Sequence, residues 1–248
     1  MHLTDMDRTH TLAAEIREYC TAHADPKMAL KWARYFTEGY DAWGMLDTKH
    51  PFWNQKQQEW LEGYGDLGLP GFLKLGELLF ASGKYEEGAL AIRFVTQLRD
   101  QVGARTLPGL AKWFAAGIRN WAHTDVLCGQ VLAPLLQSGQ IQVEALASWR
   151  KSKLKFQRRA VPVAMLGLLK TGGDVGPWLD FLRPLMLDGE RVVQQGLGWF
   201  LRETWKQHPR PVEAFLLEWK DQAPRLIFQY ATEKMAKADR ARFRRQAV

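Results

Sequence analysis

The chain has 248 residues, 46% of them hydrophobic, which is enough to bury a continuous core. Lys and Arg total 34 against 27 Asp and Glu, a net charge of +7 with a pI near 9.4, a balance that favours a polyanionic partner such as nucleic acid, the plain alternative being ordinary solubility charge. Only Cys20 and Cys128 are present, which excludes a disulfide framework or a Cys-x-x-Cys metal site. Asp5, Asp7, Arg8, Glu15 and Arg17 stand where a signal peptide would be apolar, and no run reaches the ~20 apolar residues of a membrane span. A reduced, cytoplasmic protein without membrane contact is expected.

Apolar spacing of period 3.6 recurs along the whole sequence and strand-like alternation is almost absent, so the fold class is all-α. Leu12 to Cys20 and Pro26 to Phe36 read as helices. Gly39-Tyr40-Asp41-Ala42-Trp43-Gly44 reads as a turn or loop whose Trp43 either packs or touches a ligand, and a further helix follows around Phe52 to Leu61. Residues 1–69 are expected to cap a helical array. From Pro70 a pattern sets in, with turn chemistry at Leu69-Pro70-Gly71, Leu107-Pro108-Gly109, Gly172-Gly173-Asp174 and His208-Pro209-Arg210-Pro211. Each turn opens a pair of helices, at a period of roughly 35 residues, the size of a helix-pair repeat.

Lys84 to Leu90, Lys155 to Val161 and Glu190 to Gly196 superimpose as starts of second helices: a polar opening turn, then small residues where helices approach closely. One helix pair cannot bury its own apolar face, so residues 70–233 are expected to stack into a curved α-solenoid of HEAT-like pairs whose second helices line a basic concave face, all within one domain of residues 1–248. The closing stretch, residues 234–248, carries Lys234, Lys237, Arg240, Arg242, Arg244 and Arg245. It reads either as a frayed last helix or as a phosphate-contacting tail.

Eleven tryptophans are an unusual number. Because the indole N–H needs a partner when buried, an excess often marks a gripping surface. No P-loop, G-x-G-x-x-G, H-E-x-x-H or G-x-S-x-G is present, so nucleotide hydrolysis, nicotinamide chemistry, zinc proteolysis and serine hydrolysis lose their usual signals. What remains is Asn120-Trp121-Ala122-His123-Thr124-Asp125 at the start of a second helix. Trp121 and Asp125 stand at i and i+4 and share one face; the plain alternative is a core tryptophan and an acid serving the helix dipole. His123, at i+2, points off that face, against a general-acid role.

In the next two second helices, Phe156-Gln157-Arg158-Arg159-Ala160 and Gly198-Trp199-Phe200-Leu201-Arg202-Glu203 take the corresponding places. With Trp121-x-x-x-Asp125 they occur in an order and at spacings that resemble the AlkD-type alkylpurine DNA glycosylases, HEAT-like proteins that remove positively charged alkylated bases. The resemblance spans most of the chain, best from Gly109 to Glu233. It departs at Ala122, where a member of that family has a second acid.

The resemblance implies a monofunctional DNA glycosylase that excises 3-methyladenine and 7-methylguanine type lesions from double-stranded DNA, as a monomer, with no metal and no organic cofactor. Asp125 would stabilise an oxocarbenium-like sugar. Trp121 and Trp199 would present electron-rich faces to sugar and base. Arg159 or its neighbour Arg158 would hold a phosphate, with Lys155 and Gln195 completing the DNA-contacting set. It also implies that the lesion is not flipped into a deep pocket, and that the protein associates with the nucleoid through DNA. Two other readings stand beside it: a non-catalytic DNA-binding solenoid for damaged, bent or branched DNA, and a helical-repeat scaffold for an acidic protein.

Overall fold

Proline and glycine punctuation sets the helix starts. In the computed structural model, which describes residues 5–45 and 51–245, Pro26, Pro108, Pro177 and Pro209 each sit in the first turn of a helix, where the missing N–H costs nothing. Residues 246–248, the end of the expected basic stretch, lie outside the described residues, as do 1–4 and 46–50. Among the described residues there is no strand; one isolated bridge joins Asp41 and Lys84. No described helix is long and apolar enough to cross a membrane. The chain divides into two compact units, Met1–Leu127 and Cys128–Val248.

The first unit contains α1 (Asp5–Ala22), α2 (Pro26–Ala33), α3 (Pro51–Gly63), α4 (Gly68–Ala81), α5 (Tyr85–Gln97), α6 (Leu107–Ala116) and α7 (Trp121–Leu127). Helix α4 packs on α1, α5 and α6, and α5 packs on α7, so the helix pairs α4–α5 and α6–α7 stack side by side. Their shared core holds Leu12, Ile16, Phe72, Leu75, Leu79, Phe94, Leu110 and Trp113, all at most 1% exposed. The Trp113 indole satisfies its N–H on the Leu73 carbonyl at 2.9 Å.

The second unit opens with a π-helical turn, Cys128–Leu132, and continues through α8 (Ala133–Gln137), α9 (Ala147–Arg150), α10 (Lys155–Met165), α11 (Gly176–Leu182), α12 (Arg191–Gln207), α13 (Pro209–Trp219), α14 (Arg225–Ala231) and α15 (Lys237–Ala241). Helix α12 lies between α10 and α14 and also contacts α13, while α11 packs on α13. Val193, Leu197, Phe200 and Leu201 of α12 are all fully buried. The second helices α5, α7, α10, α12 and α14 begin at Tyr85, Trp121, Lys155, Arg191 and Arg225, successive steps of 36, 34, 36 and 34 residues. This is the period read from the turn chemistry.

Up to Arg245 the basic C-terminal segment is not frayed. Phe243 is 1% exposed, the Arg242 guanidinium pairs with Glu213 at 3.0 Å, Arg245 donates to the Ala223 carbonyl at 3.1 Å, and Arg225 donates to the Phe243 carbonyl at 2.8 Å. The aromatic anchor holds the strand of cations against α13 and α14.

Small residues permit the close approaches. A Cβ at Gly88 would stand 2.6 Å from Phe80 Cε1, and one at Gly198 would stand 2.5 Å from Tyr230 Cβ and 2.9 Å from the Ile227 carbonyl oxygen. At Gly198 the obstacles belong to the body of α14 and not to a flexible side-chain tip. Glycine to alanine inside an exposed helix gains up to about 1 kcal/mol, whereas overpacking costs about 1–3 kcal/mol. Gly198→Ala is therefore expected to lower the thermal unfolding midpoint, against the helix-propensity trend; a raised midpoint would contradict the tight α12–α14 contact.

Candidate functional site

The site is built from the start of α7. Asn120 caps that helix: its Oδ1 accepts from the His123 backbone N–H at 2.8 Å, and its Nδ2 donates to the Gly39 carbonyl at 3.0 Å and to His123 Nδ1 at 3.1 Å. His123 Nε2 in turn donates to the Tyr85 carbonyl at 2.9 Å. Both hydrogen-bonding groups of this 4% exposed imidazole are thereby used, and burial pushes its pKa down to about 4. His123 is a neutral structural group, as its i+2 position suggests.

With α7 fixed in this way, Trp121 is left 42% exposed and Asp125, one turn on, is half-buried. Of the eleven tryptophans only Trp121 and Trp32 are exposed. Trp121 is nonetheless held. Its ring stacks on Phe36 with centroids 5.5 Å apart, Phe36 stacks on Tyr40 at 4.5 Å, and Tyr40 meets Tyr85 at 5.4 Å. Tyr85 stacks on His123 at 4.5 Å, closing the aromatic set on the capped turn.

The loop that carries Tyr40 is pinned from α5. The Glu86 carboxylate, 3% exposed, accepts three backbone N–H bonds, from Trp43 at 2.9 Å and from Gly44 and Met45 at 2.8 Å. Lys84 adds an ion pair to Asp41 at 2.7 Å and lies over the Trp43 ring at 4.4 Å. Trp43 therefore packs. Next along α5, Glu87 is fully buried and takes the Arg17 guanidinium of α1 at 2.9 Å.

Lys155, Arg158, Arg159, Gln195 and Trp199 all lie in the second unit, on α10 and α12. Arg158 forks onto Asp188, at 2.6 Å and 3.2 Å, and donates a further bond to the Ser152 carbonyl at 2.7 Å. Arg159, 6% exposed, donates from Nη1 to the Val192 carbonyl at 2.8 Å beside Gly196, where a Cβ would stand 3.1 Å from Arg159 Cγ. Lys155 faces Glu190 at 3.8 Å, Gln195 donates to the Tyr230 hydroxyl at 2.9 Å, and Trp199 is half-buried. Phe156 is buried core. Asp125, Arg159 and Gln195 are each the fifth residue of their helix.

A model of the DNA alkylation repair enzyme family matches residues 16–235. The chain belongs to that family. A solved structure of a "predicted DNA alkylation repair enzyme" from Enterococcus faecalis has the same fold, with a TM-score of 0.67 at 14% identity over 86% of this chain and 97% of that one. No curated protein matches. Family membership assigns the protein a role in the enzymatic repair of alkylated DNA, with DNA as its substrate.

Within this DNA alkylation repair fold, much of the G-W-x-L-R-E segment serves packing. Gly198 admits α14, Leu201 is core, Arg202 pairs with Glu203 at 2.9 Å and with Glu233 at 2.5 Å, and Glu203 takes Lys206 at 2.6 Å. Sequence reasoning passed over Phe36, Tyr85, Asn120 and Glu86 as site-building residues. Asn120 at a helix start is a recognisable cap, but nothing local announces that Glu86 reaches back to residues 43–45.

The neutral imidazole gives a pH test. An unfolded His123 titrates at its ordinary 6.5, whereas the folded one takes its proton only near 4. The unfolded chain binds more protons between those values, so stability is lost as pH falls from 6.5 towards 4, by on the order of 3 kcal/mol at the limit. Denaturant midpoints measured from pH 7 to pH 4 should fall less steeply in His123→Gln than in the wild type; parallel curves would show that His123 does not contribute.

Proposed function

We propose that the protein is a DNA glycosylase that hydrolyses the N-glycosidic bond of cationic N3- or N7-alkylated purines in double-stranded DNA. The observation that carries this reading is the pairing, one helical turn apart on α7, of a surface tryptophan locked in an aromatic stack with a half-buried carboxylate. A tryptophan exposed by accident would not be fixed by a ring at 5.5 Å and an indole bond of 3.4 Å to the Tyr35 carbonyl.

An alkylated purine of this kind already carries a positive charge. When the C1′–N bond breaks, the bonding pair stays with the base, which leaves neutral and needs no proton from the enzyme. The charge that develops is on the sugar, where the Asp125 carboxylate stabilises the oxocarbenium-like centre and orients the water that adds to C1′. That water releases its proton as the new C–O bond forms. One carboxylate therefore suffices, which is compatible with Ala122 in the place of a second acid.

The Trp121 and Trp199 indoles supply electron-rich faces to the sugar and the cationic base, each worth roughly 0.5–2 kcal/mol. Arg159 or its neighbour Arg158 is the phosphate contact on this reading. Lys155 and Gln195 flank it along the DNA backbone. The protein acts as a monomer, without metal or organic cofactor, in the cytoplasm on nucleoid DNA.

Release of free 7-methylguanine from methylated duplex DNA is the direct test. Asp125→Asn, nearly isosteric, is expected to lower the single-turnover rate by about 10²–10³-fold while duplex binding persists. Absence of release by the wild-type protein, with binding intact, would overturn glycosylase activity in favour of a non-catalytic binder of damaged or bent DNA.

A further inference from the structure

Tyr40, whose ring stacks on Phe36 in the aromatic set that ends at Trp121, also lines a cavity of about 340 Å³, confined to the first unit. Its wall includes Tyr40, Asp41, Lys84, Arg119 and Asn120. The backbone there is unusually tight. Gly39 has φ +67°, and a Cβ on it would stand 1.9 Å from the Arg119 carbonyl oxygen, so the chain at Gly39 and the chain entering α7 are pressed together at the cavity floor. Glycine tolerates both the left-handed conformation and the contact. Asn120 ties the same two segments by its bond to the Gly39 carbonyl.

Three charged residues line this cavity, Asp41, Lys84 and Arg119. Lys84 is paired with Asp41 at 2.7 Å, which neutralises both. Arg119 is exposed, and among the described residues it forms no ion pair and no side-chain hydrogen bond. This distinguishes it from Arg17, Arg158, Arg183, Arg202 and Arg242, which all face carboxylates. The lining of the cavity thus carries a net single positive charge. In its wall the Tyr40 hydroxyl is buried and, among the described residues, has no hydrogen-bond partner; burial raises its pKa to about 12, so it remains a donor at neutral pH.

We infer that this cavity is a second backbone contact, seating one phosphodiester of the DNA on Arg119 at a nucleotide neighbouring the one that meets Trp121. The inference rests on the proposed DNA-repair reading. A phosphodiester carries one negative charge, which matches the net charge of the Arg119, Lys84 and Asp41 group. A guanidinium presents two parallel N–H donors to its two non-bridging oxygens. The aromatic set joins the two positions through Phe36 and Tyr40, so sugar and phosphate of adjacent nucleotides would be gripped along one rigid wall. Contacts of this kind set register on the duplex and carry no sequence information.

The test is the salt dependence of binding to an undamaged duplex, read by fluorescence anisotropy with the full chain. Each neutralised phosphate contributes about 0.9 to the slope of log affinity against log salt. Arg119→Gln is expected to make that slope shallower by about 0.9. Asp41→Asn, which frees Lys84, is expected to tighten binding and steepen the slope, while both variants keep the wild-type melting temperature.

An unchanged slope in Arg119→Gln would overturn the inference, and so would weaker binding by a stably folded Asp41→Asn. If the wild-type protein binds no duplex at all, the DNA-substrate reading fails instead, which the wild-type titration alone reports. A phosphate-induced shift of the Arg119 Nε resonance, seen with inorganic phosphate but not with duplex, would assign the cavity to free phosphate and also overturn the inference.

Discussion

Everything described at the start of α7 hangs on the side chain of Asn120. A carboxamide has one acceptor and two donor hydrogens on a single plane, and here all three are used: the helix cap, the Gly39 carbonyl and the His123 ring. One residue thereby ties three segments far apart in sequence: the α2–α3 loop, α5 through the His123 bond to Tyr85, and α7 itself. Aspartate could cap the helix but could not donate to Gly39, and serine could not span both. The same group fixes the imidazole in its neutral form, because one ring nitrogen must accept from Asn120. Trp121 and Asp125 inherit their positions from that fixed turn.

The repeat explains how one fold carries both packing and chemistry. Three of the second helices begin with a polar turn and then narrow to a small residue: Gly88 in α5, Ala160 in α10, Gly196 in α12. In three of the second helices the fifth residue is polar. It is Asp125 in α7, Arg159 in α10 and Gln195 in α12. A carboxylate, a guanidinium and a carboxamide at one repeat position form the kind of variation a solenoid tolerates, since each repeat contacts only its neighbours.

The helices and their period were legible because the signals are local: proline at first turns, glycine after helices, apolar spacing of 3.6. The pairing of Trp121 with Asp125 on one face was legible for the same reason. The partners of the arginine doublet were not, because Asp188 sits 30 residues beyond Arg158 in a connection with no pattern of its own. Glu86 is the clearest case. In the sequence it is an acid in the first turn of a helix, where the dipole alone accounts for it; in the fold it is a buried anion holding three N–H groups of a distant loop. The basic C-terminal segment left two readings open because charge is visible in a sequence while the anchoring of Phe243 is not.

Pairing also changes what the net charge of +7 means. Arg8, Arg17, Arg158, Arg183, Arg202 and Arg242 are matched by carboxylates within hydrogen-bonding distance, so their fields close locally and contribute little beyond a Debye length of about 10 Å. Attraction to DNA then comes from the cations left unmatched, and a few well-placed ones orient a duplex better than a uniform basic coat, which binds in any register. The proposed chemistry makes the same demand. A cationic purine is already a good leaving group, so selectivity resides in the lesion's own charge and lability, and the protein need only hold sugar and backbone where one carboxylate can act. On that proposal, a rigid aromatic wall, an anchored turn and a few phosphate contacts would meet that demand.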